Sequence, residues 1–378
     1  LGNFPYLATY GTNSSYNYLI NGSKPVIVKA PGLVASDFTW ETVTQMDFGF
    51  DASFLNNRLT GTFDWYRRNT KDMLVAGATL PATLGASVPK SNSADMKTIG
   101  WELSLGWNDR LENGFSYWVK GVLSDYQATI TKYAGNDAGF YSQSDGDGKY
   151  YVGQKIGEIW GYHSNGLFQS DDEAATIDQS ELYAGKWGAG DVKYEDLDND
   201  GKITKGEETI YNPGDKSIIG NKTPRYQFGI TVGFDYKNFD FEMFWQGTGK
   251  RDYMLSGAQF WGFTSQWDVP YTPALDYWTE TNTDAYFPRP GWQNGGNRVT
   301  SDRYLQSAAY GRLKNLTVGY TIPKNLTTKW GISRLRLYVT GENLLTITPL
   351  NDAFDPETLG GMTYPINRKV AIGLNLTL

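Results

Sequence analysis

Residues 225–236 read RYQFGITVGFDY, and this stretch decides the class of fold. Every second side chain is apolar, and the apolar set consists of Tyr226, Phe228, Ile230, Val232, Phe234 and Tyr236. A period of two places these side chains on one face of an extended strand and the polar ones on the other. The sequence therefore predicts a β-strand with one apolar and one polar face.

The same pattern recurs along the chain. We expect nine such strands, at about 39–50, 57–68, 97–107, 114–125, 225–236, 239–247, 311–322, 334–345 and 367–378. Most have about 9–12 residues, which is the length of a tilted strand that crosses a membrane. Short connections at 51–56, 108–113, 237–238 and 323–333 alternate with long ones at 69–96, 126–224, 248–310 and 346–366. All large loops then lie at one edge of the sheet, which is typical of short periplasmic turns and long extracellular loops.

These strands predict an all-β fold that forms part of a larger transmembrane barrel. Nine antiparallel strands cannot close on themselves, so we expect the C-terminal portion of a barrel of about 22 strands. Residues 1–38 are then expected in an extracellular loop, as are 126–224 and 248–310. No apolar run approaches the roughly 20 residues of a spanning helix. The N-terminus lacks a signal peptide, so either the chain is not exported or it begins downstream of an export signal.

Composition excludes several classes of partner and site. With 34 basic and 41 acidic residues the net charge is −7, which gives no electrostatic footprint for nucleic acid. The absence of Cys excludes disulfides and thiolate metal sites. A single histidine, His163, excludes a histidine-rich metal cluster. Aromatic residues make up 15% of the chain, which favours strands over helices.

From about residue 150 onward the chain resembles the SusC/RagA family of TonB-linked outer-membrane transporters. The resemblance is carried, in the family's order, by segments 152–157, 160–162, 166–168, 185–201, 219–226, 236–241, 275–278, 287–290, 313–320, 341–344, 355–357 and the final strand. One departure is Leu378, because such barrels usually end in an aromatic residue.

The resemblance implies a large barrel, embedded in outer-membrane lipid of a Bacteroidetes-type Gram-negative cell and completed by its own N-terminal part. It also implies an N-terminal plug through which TonB acts, and a SusD-like surface lipoprotein that helps capture oligosaccharides or peptides. The plug and the N-terminal domains are expected to lie outside this sequence. A protein of this kind is a transporter and not an enzyme.

Residues 196–207, DLDNDGKITKGE, fit the twelve-residue calcium loop. The expected ligands are the carboxylates of Asp196, Asp198 and Asp200, the carbonyl of Lys202, Thr204 directly or through water, and both carboxylate oxygens of Glu207. Hard oxygen ligands select calcium over zinc. Ile203, at the apolar eighth position, is expected to tuck under the loop. We predict a structural calcium ion that pins the long loop, with a solvated acidic turn as the alternative.

Other candidate sites have simpler explanations. The long loops carry Trp160, Trp187, Trp261, Trp267, Trp278 and Trp292, for which packing in loop cores or against a lid protein is favoured over substrate stacking. The polar strand faces carry Asp47, Asp64, Glu102, Glu242, Arg336, Glu342 and Lys369, which suit a polar barrel interior better than catalytic carboxylate pairs. His163 lacks a second histidine, which argues against a metal or catalytic role.

The leading functional hypothesis is active import of nutrient oligomers, either glycans or peptides. The sequence names no substrate-contacting residue. The alternatives are a soluble, calcium-dependent carbohydrate-binding β-protein and a secreted glycosidase.

Overall fold

The computed structural model describes residues 6–13, 19, 22–24, 26–29, 31–36, 38–76, 81, 83, 88–134, 136, 139, 150–359, 364 and 366–378. One nine-stranded antiparallel sheet dominates the structure. Its strands are β1 (Thr42–Phe54), β2 (Leu59–Ala76), β3 (Lys90–Arg110), β4 (Ser116–Tyr133), β5 (Arg225–Tyr236), β6 (Phe239–Lys250), β7 (Tyr310–Thr321), β8 (Arg334–Ile347) and β9 (Lys369–Thr377). Each strand pairs with its neighbours in sequence, as an up-and-down barrel wall requires. The predicted all-β fold of nine antiparallel strands is confirmed.

The register makes one face of this sheet continuously apolar. Residues that lie opposite each other in an antiparallel pair share a face. One such row runs across β1 to β5 through Phe50, Phe63, Leu103, Leu123 and Phe228. In the described part of the chain no second sheet covers this face, and Phe48 and Ile372 remain 68% and 83% exposed. This is the pattern of a surface that faces lipid.

The opposite face of the sheet is polar and carries the charged strand residues. Arg336 of β8 forms an ion pair with Asp240 of β6, and Lys369 lies 3.5 Å from Glu342. Asp64 and Glu102 are directly opposite each other in the β2–β3 ladder. The predicted polar wall is therefore formed by residues of several strands on one common face.

An aromatic ring fills the space above a glycine on this polar face. A Cβ added at Gly100 of β3 would lie 2.5 Å from ring atoms of Tyr66 on β2. Only a residue without a side chain leaves room for the ring, and such pairs help to fix the register.

Three strands are much longer than the sequence predicted. β2, β3 and β4 contain 18, 21 and 18 residues. Register shifts occur near Thr70 and near Asp95, so the apolar side chains change phase there and the period of two is broken. The extended ends enclose a small core of Ala94, Ile130 and Tyr133. The predicted loops 69–96 and 126–224 consequently shorten to 77–89 and 134–224, and the loop 248–310 becomes 251–309.

The remaining elements lie mainly in the long connections at one edge of the sheet. Residues 1–38, parts of which lie outside the described residues, contain the hairpin of Gly11–Asn13 and Ile27–Lys29. Three further two-stranded sheets pair Glu158–Tyr162 with Lys216–Asn221, Ser164–Leu167 with Val192–Tyr194, and Asp252–Met254 with Leu305–Ser307. Short helices span Asp171–Ala174, Ala258–Trp261 and Lys324–Thr327, and 3-10 turns span Thr272–Leu275, Gly295–Arg298 and Thr328–Trp330. Within the described ranges, no helix combines the length and apolar character needed to cross a membrane.

Candidate functional site

The long connections pack together into one layer with its own hydrophobic core. The core is formed by Tyr162, Leu167, Val192, Tyr194, Ile203, Leu255, Phe260, Trp261, Ala274, Trp278, Ala285, Phe287, Tyr304, Ala308, Leu350, Phe354 and Leu359. These residues come from three different connections. Their burial holds the loops in fixed positions, so the polar groups of this layer have a defined geometry.

Several of the loop tryptophans belong to this core. Trp261 and Trp278 are buried, and Trp187 packs against the core with its ring centroid 6.5 Å from that of Tyr194. Trp267 and Trp292 are exposed. Packing in loop cores, the explanation favoured from the sequence, thus accounts for three of the six.

The acidic segment 196–207 folds into a tight loop around its own backbone amides. The Asp196 carboxylate accepts hydrogen bonds from the amides of Asn199 at 2.7 Å and Gly201 at 2.8 Å. Gly201 has a φ of 83°, a left-handed conformation that glycine adopts without strain. The sharp turn expected at this glycine is present.

Ile203 anchors the acidic loop to the core. Its side chain is only 1% exposed, and its amide donates to the carbonyl of Asp178 at 2.7 Å. The expected position of Ile203 beneath the loop is thus observed.

A residue beyond the motif completes the acidic cluster. Asp215 is 1% exposed, and its carboxylate accepts the amides of Leu197 and Thr204, each at 2.7 Å. Carboxylate oxygens of Asp196, Asp198 and Asp215 all lie within 4.8 Å of one another, so these three residues could hold a metal ion. No sequence motif points to Asp215, because the preceding Asn212-Pro213-Gly214 is an ordinary turn signature.

The two other predicted carboxylate ligands, Asp200 and Glu207, are not part of this cluster. Asp200 is exposed, and its carboxylate accepts the amide of Lys202 at 2.8 Å. The Thr204 amide donates to the Asp215 carboxylate, and the Asp215 amide donates to the Thr204 carbonyl. Glu207 is exposed, and its amide donates to the carbonyl of Asn212 at 3.0 Å. The structure thus brings together two of the four predicted carboxylate ligands and adds a third carboxylate, that of Asp215.

The pKa values of the two aspartates in the motif shift in opposite directions. For Asp196, burial acts to raise the pKa, but the amides of Gly201, Asn199 and Asp200 outweigh burial and hold it below its usual value. For Asp198, desolvation and then the charge of Asp200 raise the pKa. The loop amides therefore favour a negative charge on Asp196.

A cavity of about 580 Å³ lies beside the acidic loop, and we call it the loop cavity. Its lining includes the strand Glu158–Tyr162 and Lys205 of the acidic segment. Lys216 and Glu208 form an ion pair of 2.7 Å in its wall, whereas Lys205 and Glu181 are 3.9 Å apart. Burial and the charges of Glu181, Asp215 and Glu208 raise the pKa of Tyr162, so its hydroxyl stays protonated. The cavity thus combines apolar walls with groups of both charges.

The single histidine joins three segments of the loop layer. His163 Nδ1 lies 2.8 Å from the Asp302 carboxylate, and its Nε2 lies 2.7 Å from the Ser217 hydroxyl. Asp302 also accepts the amide of Ser164. The side chains of His163 and Asp302 are 34% and 39% exposed, which differs from the buried aspartate of hydrolase triads. We interpret this chain of hydrogen bonds as a structural link.

A lipid-facing sheet with all its long loops at one edge defines an outer-membrane barrel protein. Over residues 3–344 the sequence matches the family described as TonB dependent receptor-like, beta-barrel. The chain belongs to this family and therefore lies in the cell outer membrane. Members of the family are transporters and receptors, so the chain is not an enzyme.

The relatives agree with the SusC/RagA resemblance. TonB-dependent receptor P3 of Formosa agariphila is 29% identical and is matched over 98% of this chain and 38% of its own length. TonB-dependent receptor SusC of Bacteroides thetaiotaomicron is 26% identical, over 99% of this chain and 35% of its own. The chain thus spans little more than a third of these relatives. The soluble lectin and glycosidase alternatives are wrong.

Solved structures show the same fold. The RagAB peptide transporter matches with a TM-score of 0.75 and 22% identity, over 100% of this chain and 39% of the other. The RagAB peptide importer in the 'open-open' state matches with a TM-score of 0.74 and 21% identity. These matches show that the chain shares the fold of the corresponding part of these barrels.

Proposed function

We propose that this chain forms the C-terminal wall and outer loops of an importer that carries nutrient oligomers, glycans or peptides, across the outer membrane. A SusD-like surface lipoprotein would cover the loop layer, and TonB would act through a plug supplied by the N-terminal part of the same protein. The observation that carries the proposal is the sheet with one lipid-facing and one polar face, joined at one edge to a packed loop layer with a cavity.

Each face of the sheet has a separate task in this proposal. The apolar face keeps the wall in lipid, where an unpaired charge would be costly. The polar face, with pairs such as Arg336 and Asp240, gives a hydrophilic path for an oligomer. The loop layer holds the incoming oligomer at the outer end of that path. No bond of the oligomer is made or broken.

The test is uptake by cells that lack the full-length transporter. We expect the deletion strain to lose uptake and growth on one class of oligomer while growth on the corresponding monomers stays normal. Deletion of the partner lipoprotein should weaken the same uptake. Normal uptake of glycan and peptide oligomers alike in the transporter deletion strain would contradict import as the function.

We also propose that a calcium ion pins the acidic loop. The ligands offered are oxygen atoms only, from Asp196, Asp198 and the buried Asp215, and such hard donors suit calcium. An ion there would neutralise three converging carboxylates and fix the turn above Ile203. Calorimetry on the full-length protein should detect one site that EDTA empties, and failure to bind calcium at millimolar concentration would contradict the proposal.

A further inference from the structure

We propose that the lipid-facing side of β2, β3 and β4 binds the headgroup of an anionic lipid at the outer surface of the membrane. The site consists of four basic residues, which we call the basic patch: Arg67 and Lys71 of β2, Lys97 of β3 and Lys132 of β4. The import function proposed above does not use these residues.

The apolar surface of β3 ends at Ile99. The side chains of β3 on the lipid-facing side are Trp107, Leu105, Leu103, Trp101 and Ile99, because alternate residues of a strand share a face. From Trp107 to Ile99 the strand covers about 21 Å of bilayer height at the usual tilt of a barrel strand. This height is close to the apolar band of about 25 Å that membrane barrels present to lipid. The next residue on this face, Lys97, therefore lies at the level of the headgroups.

The strand register places Arg67 beside Lys97. Arg67 is opposite Ile99, and Lys97 is opposite Asn69 of β2 and Thr129 of β4. Arg67 Nε donates to the Asn69 side-chain oxygen at 3.3 Å, which orients the guanidinium along this face. Adjacent strands lie about 4.8 Å apart, so the long side chains of Arg67 and Lys97 can reach one phosphate group.

The outer ends of β2 and β4 add two further positive charges. Lys71 is opposite Thr42 on the lipid-facing side of β1. Lys132 is opposite Asp95, which is two residues from Lys97 and shares its face. Lys71 and Lys132 are both exposed. The lipid-facing side thus changes from apolar to basic where it leaves the apolar band.

The positive charge of the patch is largely uncompensated. Among the residues that the structure describes, none forms an ion pair with a member of the patch. Two carboxylates share this face. Asp125 is neutralised by its ion pair with Arg225, and Asp95 accepts the Asp72 amide at 2.9 Å. Four basic groups therefore stand against one unneutralised carboxylate, and the patch attracts an anion.

The position of the patch favours a lipid over a soluble anion. A molecule bound to Arg67 and Lys97 has its remaining part beside the aromatic rings of Trp65 and Trp101, which are directly opposite each other on the same face. Phosphate oxygens bind guanidinium and ammonium groups strongly, and clusters of basic residues beside a membrane attract anionic lipids. The partner therefore combines acyl chains, which contact the apolar band, with an anionic phosphate headgroup.

The test is lipid retention by the purified full-length transporter in a neutral detergent, measured by native mass spectrometry. Phosphatidylglycerol is the anionic probe, and phosphatidylcholine with the same acyl chains is the control without net charge. We expect retention of phosphatidylglycerol to be at least about tenfold stronger and to weaken as the salt concentration rises. Millimolar inorganic phosphate should not displace the lipid, because it lacks the acyl chains.

Variants locate the binding in the basic patch. Arg67→Gln combined with Lys97→Gln should weaken retention of phosphatidylglycerol by about tenfold. Lys71→Gln combined with Lys132→Gln, at exposed positions beyond the apolar band, should also weaken it. Arg68→Gln is the matched control and should leave retention unchanged, because Arg68 lies on the opposite, polar face and donates to the Gln45 side chain at 2.9 Å. Heat-modifiable migration checks that each variant is folded.

Four results would overturn the proposal. They are equal retention of the two lipids, undiminished retention in both double variants, an equal loss in the Arg68 variant, and displacement of the lipid by inorganic phosphate. The last result would assign the patch to a soluble anion.

Discussion

At the scale of single residues, the acidic cluster shows how far a local motif defines a site. The motif brings Asp196 and Asp198 close together, because short-range hydrogen bonds fold the turn around them. It does not reveal Asp215, which reaches the cluster because the strand Lys216–Asn221 begins beside the loop. The third carboxylate of the cluster, that of Asp215, therefore lies outside the twelve-residue motif.

This difference predicts a ranking of calcium ligands. Asp215→Asn should weaken calcium binding by about tenfold or more, because a buried carboxylate is lost, whereas Glu207→Gln should change it by less than about threefold. Calorimetry on both variants measures the effect, and circular dichroism in EDTA checks that each variant remains folded. The opposite ranking would establish Glu207 as the ligand at the twelfth position.

At the scale of elements, the strands and the short helices are stabilised by different interactions. Val232 of β5 lies in register with Val119 and Met243 on the apolar face, while the adjacent Thr231 points to the polar face. The short helix Asp171–Ala174 depends on polar contacts instead. Ser170 accepts the Glu173 amide at 3.1 Å, and the Glu173 carboxylate accepts the Gln169 amide at 2.7 Å, an arrangement that resembles a capping box shifted by one residue.

The two faces of β5 should respond differently to a charge. Val232→Arg should destabilise the barrel by about 2–4 kcal/mol if its position is near the middle of the bilayer, because the guanidinium would enter lipid. Thr231→Arg is the matched control and should cost much less, because its side chain meets the polar interior. Urea unfolding in lipid vesicles, followed by heat-modifiable migration, measures both. Equal destabilisation by the two variants would contradict the assignment of the faces.

The short helix should loosen in acid. The Gln169 amide and then Lys193 hold the pKa of Glu173 below its ordinary value of 4.5. A folded-state pKa below the unfolded value gives stability that is present above pH 4.5 and is lost as the pH falls through the folded value. Hydrogen exchange at residues 170–175 should therefore accelerate below about pH 4.5 relative to the barrel strands. Glu173→Gln should reduce this dependence and leave the part due to Asp171, whose pKa is held low by Lys186 and the Ala189 amide. An unchanged acid response in that variant would contradict the role of Glu173.

At the scale of the whole molecule, the loop layer and the barrel wall are stabilised by different interactions. The wall depends on nine paired strands and on lipid, whereas the layer depends on a protein core of its own. Phe260 lies at the centre of that core, with its ring centroid 5.1 Å from that of Phe287 and 6.2 Å from those of Tyr304 and Phe354.

The two parts should therefore lose structure separately. Phe260→Ala should destabilise the loop layer by about 3–5 kcal/mol, because a large buried ring leaves a cavity. Proteolysis of the loops should then begin at a lower temperature, while the barrel keeps its heat-modifiable migration. Trp267→Ala changes a ring that is 83% exposed and should have little effect. Simultaneous loss of loops and barrel in the Phe260 variant would show that the two parts are one cooperative unit.

The sequence by itself determined the nine strands, their two faces and the edge that carries the long loops. Alternation of apolar and polar side chains is a local property of the sequence. It is present wherever one face of a strand contacts lipid and the other faces a polar interior. The tertiary structure alone decided the extensions of β2 to β4, the inclusion of Asp215 and the loop cavity. Bulges change the phase of the pattern in the extensions, and Glu181, Lys205 and Lys222 meet only because a shared core packs separate segments together. Distant segments come together through tertiary packing. The alternation of apolar and polar residues along the sequence does not reveal which segments pack together.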